Sequence, residues 1–361
     1  MRILIDIGHP AHVHYFKNLY RILKDKGHEL CITSRDKEIT FELLNHYQIP
    51  FIKRGKGGNN ILTKILYILK ADAIILNAAL KFEPDILLGF SSFYASHVAA
   101  LLGKPFIALT DTEQATEQHM LFMPFSKYVL TPNCYLNDFG KKQIRFDSYM
   151  ELCYLHPKYF KPEPDILERL GLKEGEKYSI VRFVKWAASH DIGHKGLTTE
   201  HKVHVVKTLS EHGKVFVSAE GGLPTELTKF KYPLPPSTMH SALYHATLLY
   251  GESATMASEC AMLGTYSIFH NKNRLGYTYE QEQQYGLVYN FDESSASYEK
   301  ALNKAVEILK NPTSKANAIK ASEKLISEKI DPTNFFCWFI ENYPQSAFEM
   351  KKDPSVQYKI I

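Results

Sequence analysis

Cysteine is scarce in this chain of 361 residues. The five present, Cys31, Cys134, Cys153, Cys260 and Cys337, are widely spaced and include no C-x-x-C. A disulfide framework and a zinc knuckle are therefore excluded, and a reducing, cytoplasmic setting is expected. A long uncharged apolar run is also missing. The most apolar stretch, Ile61 to Leu80, is broken by Lys64, Lys70 and Asp72, which a bilayer crossing would bury. The apolar start holds Asp6 and stops at Gly8, too soon for the core of a secretion signal. Charge of one sign is lacking too. Lys and Arg number 43 against 39 Asp and Glu, and the balance of +4 does not suit a nucleic-acid binder.

What is present is the composition of a folded protein: 45% hydrophobic, 23% charged and 12% aromatic residues, at a length that predicts about two domains. Two lobes imply a cleft between them. Short apolar runs alternate with segments of helical period, the pattern of parallel sheets covered by helices on both faces. Strands are expected at Arg2–Ile7, Glu29–Thr33, Phe51–Lys53, Ile86–Gly89, Phe106–Leu109 and Tyr128–Thr131. In the second half they are expected at Tyr178–Phe183, Lys214–Ser218, Thr247–Gly251 and Tyr266–Phe269. Helices are expected at Val13–Lys26, Thr199–Glu211, Ser237–His245 and Ala254–Leu263. The proline-rich run His156–Asp165 opens a linker reaching Gly175. The expected organisation is thus a first lobe over 1–160 and a second over 161–330. A C-terminal helix in 331–361, rich in Phe and Trp, would cross back to the first lobe.

Four loops stand where an open α/β sheet places ligands, at the carboxyl ends of strands. The first, Gly8-His9-Pro10-Ala11-His12-Val13-His14, has one glycine where a dinucleotide fold needs G-x-G-x-x-G, so nicotinamide and flavin enzymes are not expected. Its histidines suit a general base for an acceptor alcohol, with His12 and His14 as candidates and helix capping as the plain alternative. The second, Ser253-Ala254-Thr255 ahead of a helix that carries Glu259, can hold a phosphate on open amides and a ribose on the carboxylate. The third, from Arg182 through Lys185 to His190, offers cations for a diphosphate, or else a solvated basic loop. The fourth offers Asp111 and Glu113 as acceptor-site carboxylates, or as caps of the helix that follows.

Several of these stretches resemble enzymes of nucleotide sugars with the two-Rossmann-lobe GT-B fold. Pro84–Ser92 and Gly103–Ala115 are similar to the P-D-x-x-x-G and H-E-Q-N stretches of the peptidoglycan N-acetylglucosaminyltransferase family. Ser253–Tyr266 is similar to that family's S-G-A-x-T-x-x-E segment and to the S-G-G-x-x-E-E segment of the non-hydrolysing UDP-N-acetylglucosamine 2-epimerases. The likeness implies phosphate contacts for Ser253, Ala254 and Thr255 and a ribose contact for Glu259, and it sets His12 at the G-G-H-V histidine. The glycine-rich turns of the transferases are replaced here by Gly8–His12 and Arg182–Asp191, and the H-R-x-E-N of the epimerases is missing. D-I-G-H-P-A-H-V-H at Asp6–His14, Y-L-H-P at Tyr154–Pro157, R-F-V-K-W-A-A-S-H-D at Arg182–Asp191 and D-P-T-N-F-F-C-W-F-I-E-N-Y-P at Asp331–Pro344 resemble domain-of-unknown-function family 354. That family is glycosyltransferase-like and linked with surface-polysaccharide genes.

The expectation drawn from residues and resemblance together is an α/β protein of GT-B fold, with two Rossmann-like parallel-sheet lobes facing a cleft. It would be a cytoplasmic, metal-independent glycosyltransferase without a cofactor, moving a sugar from a UDP-type nucleotide sugar to an acceptor of polysaccharide or cell-envelope synthesis. A 2-epimerase or hydrolase of a UDP-amino sugar, and a GT-B binder without turnover, are the alternatives. Ile61–Leu80, with Lys53, Arg54 and Lys56, would suit either a helix packed in the first lobe or a peripheral membrane contact near a lipid-linked acceptor.

Overall fold

The structure, a computed structural model, describes residues 1–58, 60–184 and 196–360. Ile3, Leu4 and Ile5 are fully buried in succession, so β1 (Arg2–Ile7) is covered on both faces, as a central parallel strand is. Pro10 in the first turn and the His9 side chain, which accepts from the Ala11 N–H at 3.2 Å, start α1 (Pro10–Asp25). The helix thus begins three residues ahead of the expected Val13. Its apolar stripe of Val13, Phe16, Leu19, Tyr20 and Leu23 is buried.

The alternation continues through β2 (Glu29–Ser34), α2 (Thr40–His46), β3 (Ile52–Lys53), α3 (Ile61–Phe82), β4 (Ile86–Phe90) and α4 (Phe93–Leu101). Next come β5 (Phe106–Leu109), α5 (Thr116–Phe122), β6 (Tyr128–Pro132), β7 (Gln143–Phe146), α6 (Leu152–Leu155) and α7 (Ile166–Arg169). A second series follows as β8 (Tyr178–Phe183), α8 (Thr199–Ser210), β9 (Lys214–Ala219), α9 (Met239–His245), β10 (Leu248–Gly251) and α10 (Ala254–Met262). It continues with β11 (Tyr266–His270), α11 (Gly276–Gln283), β12 (Val288–Phe291), α12 (Ser295–Lys310) and α13 (Ser314–Glu328). Near the end lie α14 (Pro332–Glu341) and α15 (Gln345–Lys352).

The chain divides into two compact units, Met1–Tyr154 with Ile330–Ile361, and Leu155–Lys329. Among the described residues the first holds a seven-stranded sheet of order β3-β2-β1-β4-β5-β6-β7, and the second a five-stranded sheet of order β12-β11-β10-β8-β9. Every strand pair in both is parallel. In each sheet the strand order reverses once, between β1 and β4 in the first unit and between β8 and β10 in the second. Loops that leave neighbouring strands in opposite directions open a crevice at such a point, which is where doubly wound sheets receive ligands.

In the first unit, α14 packs on α1 and closes the core from the far end of the sequence. Phe336 meets Phe146 of β7 edge-on at 5.0 Å, and the Cys153 carbonyl accepts from Asn18 Nδ2 at 2.8 Å and from Thr333 Oγ1 at 3.0 Å. In the second unit, Val181, Phe183, Val215, Val217, Leu248 and Tyr250 of the sheet bury against Val206 and Leu209 of α8 and Ala301 and Ala305 of α12. Two strands were not among those expected, β7 and β12. Both are four-residue sheet edges that carry polar residues, Gln143 and Arg145 in one and Asn290 in the other.

Candidate functional site

In the first unit, the crevice lies between the ends of β1 and β4. Asp6, near the end of β1, is 1% exposed, and a carboxylate so placed must be answered by partners. Thr33 Oγ1 donates to its Oδ1 at 2.6 Å and Ser92 Oγ to its Oδ2 at 2.5 Å. Arg54, fully buried, closes the group: its Nε lies 2.9 Å from Oδ1 and its Nη2 donates to Oδ2 at 3.1 Å. The guanidinium also sits over the Tyr94 ring, 4.7 Å from the centroid. One carboxylate therefore ties β1, β2, the segment after β3 and the start of α4 together. Sequence reading did not single out Asp6 or Arg54 as a pair. The available signal was a charged residue inside an apolar strand run, which requires a counter-charge elsewhere in the chain.

His12 stands at the mouth of this crevice, its ring 4.8 Å from that of Phe90 at the end of β4. Burial, followed by the charges of His9, Lys37 and Arg54, holds its pKa well below the usual 6.5, so the imidazole is neutral. Nδ1 accepts from the Gly8 N–H at 3.3 Å, which leaves the ring hydrogen on Nε2. His12 thus carries its ring hydrogen on Nε2, from which it can donate a hydrogen bond. His14 does not join it. Two residues on, it lies on another flank of α1, with its ring 5.0 Å from Tyr154 and 5.9 Å from Tyr47.

Asp111 and Glu113 follow β5, the neighbour of β4 on the same sheet edge, and both are buried. Ser91 Oγ, just past β4, donates to Thr110 Oγ1 at 3.0 Å and links the two loops. Burial raises the pKa of Asp111 to about 7. The Glu113 charge adds to the rise, against a hydrogen bond of 3.0 Å from Thr112 Oγ1. Glu113 Oε1 accepts from the Leu136 N–H at 3.2 Å. The structure therefore brings together two carboxyl groups, one poised to gain or lose a proton near neutrality.

In the second unit, the crevice lies where β8 and β10 end. The strands meet so closely that a Cβ on Gly251 would stand 2.2 Å from the Arg182 carbonyl oxygen, so only glycine fits there. Ser253 caps α10, its Oγ accepting from the Met256 N–H at 3.4 Å. Ser253, Ala254 and Thr255 are half-buried, whereas the helix from Ala257 to Met262 is buried, so it is the start of α10 that reaches the surface. Glu259 is 6% exposed, and its Oε1 lies 2.9 Å from Nε2 of His240, the second residue of α9.

Two contacts here lie outside the sequence reading. Glu252, buried directly before Ser253, accepts from the Val184 N–H at 3.2 Å and from the Leu197 N–H at 2.7 Å, fixing the chain on both sides of residues 185–195 to the start of α10. Arg182, expected to face a diphosphate, turns toward β9 instead: Nη1 donates to Ser218 Oγ at 2.8 Å and Nη2 to Glu220. An arginine bound to a carboxylate at a strand end has its charge answered locally. Lys185 and His190 lie outside the described residues. Among the described residues no three His, Cys, Asp or Glu side chains converge as ligands for a metal ion.

Two all-parallel, doubly wound units, each with its own crevice at the strand ends, define a protein of the GT-B fold class. The chain belongs to the family described as "Protein of unknown function (DUF354)", whose model matches residues 1–279. An uncharacterized protein of Methanocaldococcus jannaschii is 24% identical over 272 residues, 73% of this chain and 79% of its own. The structure of UDP-GlcNAc 2-epimerase from Neisseria meningitidis bound to UDP-GlcNAc matches with a TM-score of 0.66 at 11% identity, over 91% of this chain and 99% of that one. The spinosyn forosaminyltransferase SpnP matches with a TM-score of 0.61 at 14% identity, over 92% and 96% of the two chains. These likenesses establish the fold.

Proposed function

We propose that this protein is a glycosyltransferase that moves a sugar from a uridine-based nucleoside diphosphate to an acceptor of cell-envelope or surface-polysaccharide synthesis. The observation that carries the reading is the start of α10, where a capped but accessible helix N-terminus is followed within two turns by a buried carboxylate. Unsatisfied N–H groups and roughly half a positive charge gather at such a terminus and favour a diphosphate, above all when it departs with its charge increased. Ser253, Ala254 and Thr255 take the phosphates, and Glu259, oriented by His240, takes the ribose hydroxyls. The fold is shared with an enzyme bound to UDP-GlcNAc and with a forosaminyltransferase, which agrees with this assignment.

The acceptor falls to the first unit. Asp111, its pKa raised by burial to about 7, takes the proton of the acceptor hydroxyl, and the Glu113 charge adds to its affinity for that proton. His12 donates from Nε2 to an acceptor oxygen and orients it. In this reading the helix terminus, and not a metal ion, stabilises the leaving diphosphate, so turnover persists in EDTA. Epimerisation at C2 of a UDP-amino sugar is the second reading, favoured by the same pair of buried carboxyl groups. It is told apart by its product, a C2 isomer formed without acceptor.

Calorimetry tests the nucleotide site. UDP is expected to bind the wild type and to bind Glu259→Ala at least about tenfold more weakly, the loss of a hydrogen bond to a charged group, while the thermal midpoint checks that the variant is folded. No binding of UDP, dTDP, GDP, ADP or CMP to the wild type would sink the reading.

A further inference from the structure

The helix α3 is used on one side only. Tyr67, Ala71, Ile75, Ala78 and Ala79 are buried against the first unit. On the opposite side Leu62, Ile65, Leu66 and Leu69 are 67, 50, 56 and 64% exposed, and Leu80 is 60% exposed. Leu62, Leu66, Leu69, Ala73 and Leu80 fall on one side of the helix, an exposed line about 27 Å long, and Leu76 beside it packs partly against the core. Asp72 of α3 meets His97 at 3.0 Å, and the His97 ring stands edge-on to Phe125 at 5.1 Å. Beyond it, Met120, Leu121 and Phe125 are exposed as well. An apolar surface of that extent is more than a soluble protein leaves to water without a use for it.

Charge indicates what covers it. From residue 43 to residue 71 the chain has no Asp or Glu, while it has Lys53, Arg54, Lys56, Lys64 and Lys70. Arg54 is bound to Asp6 inside the unit, which fixes the segment to the sheet, and the four lysines are exposed. Asp72, the first acid after this stretch, is held by His97. A second copy of the chain fits this face less well, because residues 43–71 bring no carboxylate to face the lysines of the copy and Asp72 is already engaged by His97. A partner that is apolar beneath a negative surface answers both properties. The helix is not built to cross a bilayer, for no helix among the described residues is long and apolar enough to do so.

We propose that the outer face of α3, with the lysines of the segment before it, docks on the surface of an anionic lipid bilayer. The leucine seam enters the boundary between headgroups and acyl chains, and Lys53, Lys56, Lys64 and Lys70 lie among the phosphates. The proposal does not depend on which sugar reaction the protein carries out.

The test is co-sedimentation of the full chain with vesicles of phosphatidylcholine alone or mixed with phosphatidylglycerol. Wild-type protein is expected to sediment with the anionic vesicles, less at high salt, and to stay in solution with the neutral ones. The variant Leu62→Ser/Leu66→Ser/Leu69→Ser and, separately, Lys56→Gln/Lys64→Gln/Lys70→Gln are each expected to bind more than about tenfold more weakly. Phe348→Ser, which alters an exposed phenylalanine of α15, binds as the wild type does, and circular dichroism and UDP calorimetry report on folding and on the nucleotide site separately. Failure to bind anionic vesicles, or unchanged binding by both triple variants, overturns the proposal. So does a dimer in sedimentation velocity that the leucine variant dissociates, since that would assign the face to a second copy.

Discussion

Asp111 holds a proton that most aspartates release well below neutrality, and two measurable effects follow. Its pKa in the folded protein, about 7, lies above the ordinary 3.8, because burial disfavours the charged form. A group raised on folding adds stability that is fully present below its unfolded pKa and is lost as pH rises through the folded one. Asp111→Asn removes that loss. The variant is expected to be the more stable at pH 8, by up to about 4 kcal/mol, with the difference gone near pH 4, as urea unfolding at the two pH values would show. On the proposed mechanism it also loses about a hundredfold or more in turnover, together with the inflection near pH 7 in the rate profile, while UDP affinity stays. That these residues sit at strand ends is legible in the sequence, because a loop after an apolar run is visible there. What they touch is not. The grip of Glu252 on the Val184 and Leu197 amides, the pairing of Glu259 with His240 and the turn of Arg182 toward Glu220 each join groups far apart in sequence, so they depend on packing that a linear pattern does not carry.

Elements of the first unit are fastened by the Asp6 and Arg54 pair, which spans 48 residues of sequence and joins β1 to the segment leading into α3. Removing one partner of a buried pair leaves the other charged and unanswered. Arg54→Ala is therefore expected to cost about 3–5 kcal/mol in urea unfolding, and Asp6→Ala/Arg54→Ala less than the sum of the two single changes. Equal and additive losses would mean that the contact is incidental. The central strands are legible as continuous apolar runs because both their faces are covered. The edges β7 and β12 are hidden by their polar residues, and the first turn of α1 by a Pro and two His that look like loop. For α3 the sequence shows that the helix is apolar nearly all round, but only the structure separates the face that is packed from the face that is bare.

The whole molecule is built so that its first unit borrows from the end of the chain. Besides the aromatic contacts of α14 with β7, Glu341 accepts from Lys26 Nζ at 2.7 Å and lies 3.0 Å from His28 Nε2, both just past α1. A chain cut after Lys329 would leave α1 and Phe146 of the first unit without part of their cover. It is expected to lose solubility, or the cooperative unfolding of that unit, and to regain both when the peptide 330–361 is supplied in trans. A soluble, cooperatively unfolding cut chain would show that α14 is dispensable.

The same connection sets an order of events during translation. Residues 1–154 leave the ribosome first, yet α1 and β7 are not fully covered until the segment from Ile330 onward emerges, some 175 residues later. At about 5–20 residues per second that is an interval of roughly 9–35 s. The nascent first unit waits through it with the α14-binding side of α1 uncovered, an apolar surface on which a ribosome-associated chaperone would be expected to settle.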